Sequence, residues 1–267
     1  MASEVIEGRR TVLPDTGLAG RLSVRGHGRA GGQGDCEHCA TRSACVVSAL
    51  ELTELRVLQP LIRQHAFRSG DVLQEEQVSA DAVHVIKVGS VFGMRRGLDG
   101  PTRPVCLWGR GAAFGISSFY GERTQVGAVA ATAGRVCIIR TDVLAAEAAR
   151  SPALHARVSS MLSGAVGHLA AWSEALRLPG IPRQLAYATL LLSQAQQSSM
   201  IELPDQKSLA ALLGTSRETI ARAMTLLEQE GIVRRHGRRL CEVVRDRVLA
   251  LLASEPSSRP AALTSGS

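Results

Sequence analysis

The stretch Asp205-Gln206-Lys207-Ser208-Leu209-Ala210-Ala211-Leu212-Leu213-Gly214-Thr215-Ser216-Arg217-Glu218-Thr219-Ile220-Ala221-Arg222-Ala223-Met224-Thr225-Leu226-Leu227 reads as helix, tight turn, helix. Gly214 supplies the permissive backbone that the turn needs, and Thr215 or Ser216 is placed to cap the second helix. Leu209, Leu212, Leu213, Ile220, Met224 and Leu227 are spaced to bury against one another. That leaves Arg217, Glu218, Thr219 and Arg222 outward at the start of the second helix.

These outward residues have the chemistry of major-groove reading. An Arg fork donates two hydrogen bonds to guanine O6 and N7, and a carboxylate accepts from cytosine N4. Glu218 and Arg222 are i and i+4 and share a face. The plain alternative is a surface ion pair between them, worth roughly 0.2–0.5 kcal/mol. Ser216 joins the four as a candidate DNA contact. Downstream, Ile232-Val233-Arg234-Arg235-His236-Gly237-Arg238-Arg239-Leu240-Cys241-Glu242-Val243-Val244 predicts two short strands around a His236-Gly237 turn, with arginines placed to meet phosphates. Together they make a winged helix-turn-helix.

Composition agrees with a polyanionic partner without identifying it. The chain has 267 residues, a formal net charge of +7 and a pI near 9.6. Aromatic residues are only 3% of the total, which argues against stacking on single-stranded bases. No run approaches the ~18 consecutive apolar residues of a membrane span, and the N-terminus lacks the apolar core of a secretory signal. The expected location is the cytoplasm, with no membrane partner. In that reducing compartment the six cysteines are expected to be buried thiols, metal ligands or redox groups rather than disulfides.

Outward from the helix-turn-helix, Pro179 to Pro182 marks a boundary, and a helix is expected over Gln184 to Gln197. Pro152 to Leu178 is helical, with Leu162, Leu169 and Leu176 at seven-residue intervals, supported by Val158, Ala165, Val166 and Trp172. This is a candidate coiled-coil seam of about three heptads. From Phe67 to Thr141 short β-rich runs alternate with glycines: Val83 to Val88, Val91 to Met94, Val105 to Trp108 and Val136 to Ile139. They predict an antiparallel sandwich or roll. Ala49 to Gln64 predicts a short helix with Leu50, Leu52, Leu55, Leu58, Leu61 and Ile62 on one face. The expected units are a disordered arm over 1–34, a cysteine loop plus roll over 35–150, a dimerisation helix over 151–178, the winged domain over 179–250 and a disordered tail over 251–267.

Asp35-Cys36-Glu37-His38-Cys39-Ala40-Thr41-Arg42-Ser43-Ala44-Cys45 gives Cys-x2-Cys-x5-Cys. Three thiols this close can ligate one soft metal centre, with a fourth ligand from Cys106 or Cys137; Cys241 is too remote. Structural zinc and an iron-sulfur cluster both use four thiolates. His38 is read as a solvent-facing neighbour. No nucleophile, base and orienting group form a plausible constellation, and no Gly-rich loop is followed by Lys and Ser or Thr, so an enzyme is not expected.

A β-roll, a long helix and a winged helix-turn-helix in that order resemble the CRP/FNR family, the regulators related to the cyclic-AMP receptor protein and FNR. The resemblance covers roughly residues 36–245, and Leu212 to Arg222 is its most specific part. It implies an α+β chain with a cyclic-nucleotide-binding-like antiparallel roll, a long dimerisation helix and a C-terminal winged helix-turn-helix. The partners it implies are palindromic double-stranded DNA, RNA polymerase and a second copy of the chain. The cyclic-nucleotide branch would place a Gly-Glu-Leu-like turn and an Arg-Ser-Ala-like clamp in the roll. Here the turn is Gly111-Ala112-Ala113-Phe114-Gly115, and Arg123-Thr124 is followed by Gln125-Val126.

FNR-type oxygen sensors carry three cysteines at this same spacing and a fourth late in the roll. By that resemblance Cys36, Cys39, Cys45 and Cys137 are the ligands of a 4Fe-4S cluster, and Cys106 and Cys241 are ordinary buried thiols. The resemblance implies an oxygen-labile cluster controlling dimerisation and promoter binding; zinc, haem or a small effector is the alternative. Two departures stand out. Leu169 occupies the position where FNR-like sensors carry an acidic residue that opposes association. Ala221 replaces the serine of Glu-x-x-Ser-Arg, while Arg217 before Glu218 follows the cyclic-AMP receptor pattern, favouring a TGTGA-like over a TTGAT-like half-site.

Overall fold

The computed structural model describes residues 35–254 together with the backbone strand Ala30–Gln33. Two antiparallel sheets face each other in the N-terminal half. The strands are β1 (Ala30–Gln33), β2 (Arg63–Phe67), β3 (Val72–Gln74), β4 (Ala82–Val88), β5 (Val91–Arg96), β6 (Thr102–Trp108), β7 (Ala113–Phe114), β8 (Gly127–Ala130) and β9 (Gly134–Arg140). One sheet runs β1-β2-β9-β4-β7 and the other β3-β8-β5-β6. This is the expected roll.

Alternation along β9 explains how one strand serves two cores. Val136 packs between the sheets with Phe67, Ile86 and Phe92, whereas Cys137 and Ile139 join Val83 and Val85 on the opposite face. Successive strand residues point to opposite sides, so a strand covered on both faces is apolar throughout. The outer face is covered by the segment that begins with the cysteines, followed by α1 (Leu52–Leu58), α2 (Thr141–Ala148) and the start of α3 (Pro152–Arg177).

The helix expected over 49–64 is shorter than its leucine pattern suggested. It spans only Leu52–Leu58 before a 3-10 turn at Gln59–Leu61, and Gln64 already lies in β2. Pro60 cannot continue an α-helical hydrogen-bond ladder. Leu50, Leu55, Leu58 and Ile62 are buried, but Leu52 and Leu61 are exposed.

Both expected disordered ends are also trimmed. Ala30–Gln33 pairs antiparallel with β2, because backbone pairing at a sheet edge needs no apolar period. At the other end α7 (Arg245–Ala253) runs past residue 250, held by buried Val248 and by Leu251 and Leu252 packed on the winged domain. The remainder of the expected arm and tail lies outside the described residues.

The long helix α3 starts with Pro152 in its first turn, where a missing N–H costs nothing. Its apolar residues divide between two faces. Leu154, Val158, Trp172 and Ala175 are buried in the chain's own cores, while Leu162, Val166, Leu169 and Leu176 are exposed, Val166 by 65%. Val158 and Trp172 therefore leave the expected seam, and the exposed set follows at intervals of four, three and seven residues, which fits a heptad register. With the proton on Nε2, His168 donates to Leu107 O (2.8 Å), which fixes α3 to the roll, and Trp172 Nε1 packs 3.1 Å from the same ring nitrogen.

The C-terminal domain contains α4 (Ile181–Gln196), β10 (Met200–Glu202), α5 (Gln206–Leu212), α6 (Arg217–Gln229), β11 (Val233–Arg235), β12 (Leu240–Val243) and α7. Its sheet has three strands, β10-β12-β11, one more than the two read from the sequence. Among the described residues no helix is long and apolar enough to cross a membrane.

Candidate functional site

In the reading element, α5 begins at Asp205, whose carboxylate accepts from Ser208 N (2.9 Å). The connection to α6 turns on Gly214 at φ +63°, a left-handed conformation that side chains with a Cβ resist. Ser216 caps α6: its Oγ accepts from Thr219 N (3.1 Å). Ile220, Ala223, Met224 and Leu227 are buried, so the exposed side of α6 begins with Arg217, Glu218 and Arg222. Of the five candidate contacts, Ser216 thus also has a structural duty. Thr219 is half-buried, and its Oγ1 accepts a long bond from Arg222 Nη2 (3.4 Å).

Glu218 and Arg222 form no ion pair among the described residues. The Glu218 carboxyl is held below its ordinary range first by its own backbone N–H and by the Ser216 hydroxyl, and secondarily by Arg217 and Arg222. A carboxylate at a helix N-terminus gains from the unpaired amides there. It stays charged and ready to accept.

The wing's arginines are not equivalent. Arg235 pairs with Glu228 (2.6 Å) and Arg234 with Glu242 (3.4 Å), which spends their charge within the domain. Arg238, Arg239 and Lys207 enter no ion pair among the described residues, and all three line the groove between wing and α6 with Arg217. Of the wing arginines, Arg238 and Arg239 are the two that keep their charge unpaired among the described residues. Lys207 is added by tertiary placement, since nothing in its local sequence sets it apart.

The second site lies on the outer face of the roll. Cys36, Cys39, Cys45 and Cys137 line one small cavity, together with Lys87 and Arg42. All six cysteines are free thiols. Cys137 reaches the cavity from β9, paired between Gln64 of β2 and Val85 of β4. The other three arrive on a loop tied down by its own bonds. Cys36 N donates to Gln59 Oε1 (3.0 Å), Arg42 Nη2 to Leu50 O (3.3 Å) and Thr41 Oγ1 to Lys87 O (3.3 Å). His38 is exposed and pairs with Asp35 (2.9 Å).

The competing fourth ligand is elsewhere. Cys106 sits on β6 in the core between the sheets, against Gly93, where a Cβ would lie 2.5 Å from its Sγ. Cys241 is buried on β12 in the DNA-reading domain.

Burial pushes the Cys36 thiol up to about 11 and that of Cys137 up to about 12; neighbouring thiols add to both rises and Lys87 opposes them. Cys45 is likewise raised, mainly by burial. Four thiolates would not share this space without a cation among them, and a metal that binds here must displace protons. The donors are soft, which suits iron-sulfur or zinc. Among the described residues no group of three or more His, Cys, Asp or Glu is gathered tightly enough to hold a single metal ion. The sulfurs wall a cavity instead of meeting at a point. Lys87 was missed in the sequence, although it continues the Val83, Val85 alternation onto the cysteine side.

A β-roll carrying a cysteine-lined cavity is joined by a long helix to a winged helix-turn-helix, the architecture of a DNA-binding regulator with a separate N-terminal domain. Residues 64–151 match the cyclic nucleotide-binding domain family and residues 186–250 the Crp-like helix-turn-helix domain family. The chain belongs to the CRP/FNR family of DNA-binding transcription regulators. It is 29% identical over 155 residues to the cyclic AMP receptor protein of Thermus thermophilus, covering 57% of this chain and 71% of that protein. Its fold resembles that of FixK2 from Bradyrhizobium japonicum, with TM-score 0.64, 21% identity and coverage of 73% of this chain and 99% of that one. It also resembles a putative cAMP-binding regulatory protein from Silicibacter pomeroyi, with TM-score 0.56, 23% identity and coverage of 80% and 98%.

Proposed function

We propose that this regulator binds DNA in a sequence-specific way under the control of an oxygen-labile 4Fe-4S cluster held by Cys36, Cys39, Cys45 and Cys137. The observation that carries this reading is the convergence of four thiols, three from one loop and one from β9, on a single cavity. Zinc, which would draw each sulfur to ~2.3 Å from one point, is the competing occupant, and the metal and sulfide content distinguishes the two. Such a cluster would supply an oxygen-labile cross-link between loop and sheet. With the cross-link in place, the loop would be held on β9 through Cys137; without it, the loop would depend on its hydrogen bonds and ion pair to Gln59, Leu50, Lys87, Arg56, Arg110 and Arg157.

The exposed Leu162, Val166, Leu169 and Leu176 seam supports a homodimer along α3, which would present two α6 helices to a palindromic site. With RNA polymerase as the further partner, the dimer would act at promoters. Leu169 adds to the apolar surface of that seam, so this dimer depends less strictly on the cluster than one opposed by an acidic residue. The preferred half-site is TGTGA-like; a TTGAT consensus selected from random DNA would refute that preference.

Cyclic AMP is the other reading, favoured by the match to the cyclic nucleotide-binding family. Against it, Arg123 is exposed and donates a long bond to Gln77 O (3.5 Å), while the Thr124 hydroxyl is spent on the carbonyls of Glu75 and Val78. These two residues form no phosphate clamp between them. The test is anaerobic purification with an absorption spectrum, an iron and sulfide count, and the dimer mass before and after air. Zinc in place of iron, or a cluster lost with the dimer unchanged, would overturn the proposal.

A further inference from the structure

The helix α3 touches the cysteine loop at one end and presents the exposed seam along the rest. Leu154 and Val158 are buried with Val46, Val47 and Leu50, the residues that follow Cys45. Between them Arg157 points back at the loop. Its Nη2 donates to Ala44 O (2.8 Å) and its Nε to Cys45 O (3.2 Å). Arg157 enters no ion pair among the described residues, so its charge is answered by these two carbonyls. Cys45 O also accepts from Ser48 N (3.2 Å), which ties the same atom to the turn behind it.

We propose that Arg157 is a positioning residue that transmits displacement of the cysteine loop to the dimerisation helix. The inference rests on the reading of Cys36, Cys39, Cys45 and Cys137 as a ligand set. A guanidinium is a planar, rigid fork, and two bonds to consecutive carbonyls fix both its distance and its orientation. A shift of about 1 Å at Cys45 takes both contacts beyond hydrogen-bond range. Leu162, the first exposed seam residue, is only about 7 Å further along the helix axis. Cys137 is close to α3 in sequence, but α2 intervenes between β9 and α3; the Arg157 contact is direct. Coupling of this kind is mutual: if the held loop favours the dimer, the dimer must favour the held loop.

The test uses full-length wild type, R157K and R157Q, reconstituted anaerobically, with iron and sulfide counted and the dimer constant measured by sedimentation before and after air. Wild type is expected to weaken about tenfold as a dimer on exposure to air, within the range usual for such coupling. R157Q should carry the same iron and show the same dimer constant in both states, with R157K between, because an ammonium cannot serve both carbonyls in one plane. R157Q that carries full iron and shifts like wild type overturns the proposal. So does R157Q that cannot be loaded with iron, since Arg157 would then only brace the ligand loop. Iron-free wild type refutes the cluster reading instead. Arg157 is then judged with zinc added and chelated, where equal shifts in wild type and R157Q overturn its role.

Discussion

Around Cys137 the chain hides its ionisable groups, whereas along α6 it displays them. Cys36 and Cys137 are buried, and their thiols are driven towards the neutral form. Arg217, Glu218 and Arg222 stand in solvent, and Glu218 is held in its charged form by the amides of its own helix start. The first region is suited to a group that replaces protons, the second to one that arrives from solvent and displaces only water and counterions. The two sites are thus separated by dielectric as well as by distance, and α3 joins their domains. Under the proposed function the cysteine site should fail by loss of one ligand or by acid, and the reading site by salt.

If the proposed cluster is bound, removing one of its ligands should have the largest effect. Cys137→Ala should abolish iron and sulfide binding, while Cys106→Ala should leave both at wild-type levels; the reverse result would move the fourth ligand to β6. The buried interior of the roll sets the next effect. His84 is stacked on Phe114 with ring centroids 4.8 Å apart, neither ring nitrogen has a partner among the described residues, and burial lowers its pKa to about 4. Because the unfolded chain takes up the proton near pH 6.5 and the folded chain does not, stability should decline as pH falls from 6.5 towards 4. At one pKa unit per ~1.4 kcal/mol the loss approaches about 3 kcal/mol at the lower end. Denaturant midpoints of wild type and His84→Phe across that window measure it, and identical slopes would remove His84 from the explanation.

On the reading side the contrast is between base and phosphate contacts. Arg222→Ala should cost about 1–3 kcal/mol of discrimination at one base-pair position. Arg238→Ala should weaken all sequences alike and lower the salt slope by about 1. Binding to matched and mismatched duplexes over a range of salt separates the two, and equal behaviour would erase the distinction between α6 and the wing. The smallest effect belongs to the cap: Ser216→Ala should destabilise the domain by ~1 kcal/mol, read from thermal unfolding. A change in base preference without that loss would make Ser216 chiefly a DNA contact.

Elements with a strong local signal were legible from the residues. The helix, Gly214 turn and helix of the reading element, the strands Val83 to Val88 and Val136 to Ile139, and the long helix from Pro152 lie where periodicity and breakers put them. Apart from the entry helix, cut short locally at Pro60, the misses share one cause, dependence on remote partners. Strand β1 exists through the edge of β2, and β10 through β12. Val158 and Trp172 fit the heptad pattern as well as Val166 does, and only the packing of α3 on the roll withdraws them from the seam. Residue spacing alone likewise allowed Cys106 or Cys137 beside the three loop cysteines.

The sequence by itself determined the reading helix with its exposed Arg217, Glu218 and Arg222, because capping, turn and amphipathic period act within a few residues of one another. It determined that three thiols lie close together on one loop for the same reason. Only the tertiary structure decided which distant thiol shares their cavity, which wing arginines keep their charge free, and that Arg157 reaches the carbonyls of Ala44 and Cys45. Each of these depends on strand register or helix docking between segments far apart in the chain, where the choice of face is made by packing and leaves no local trace.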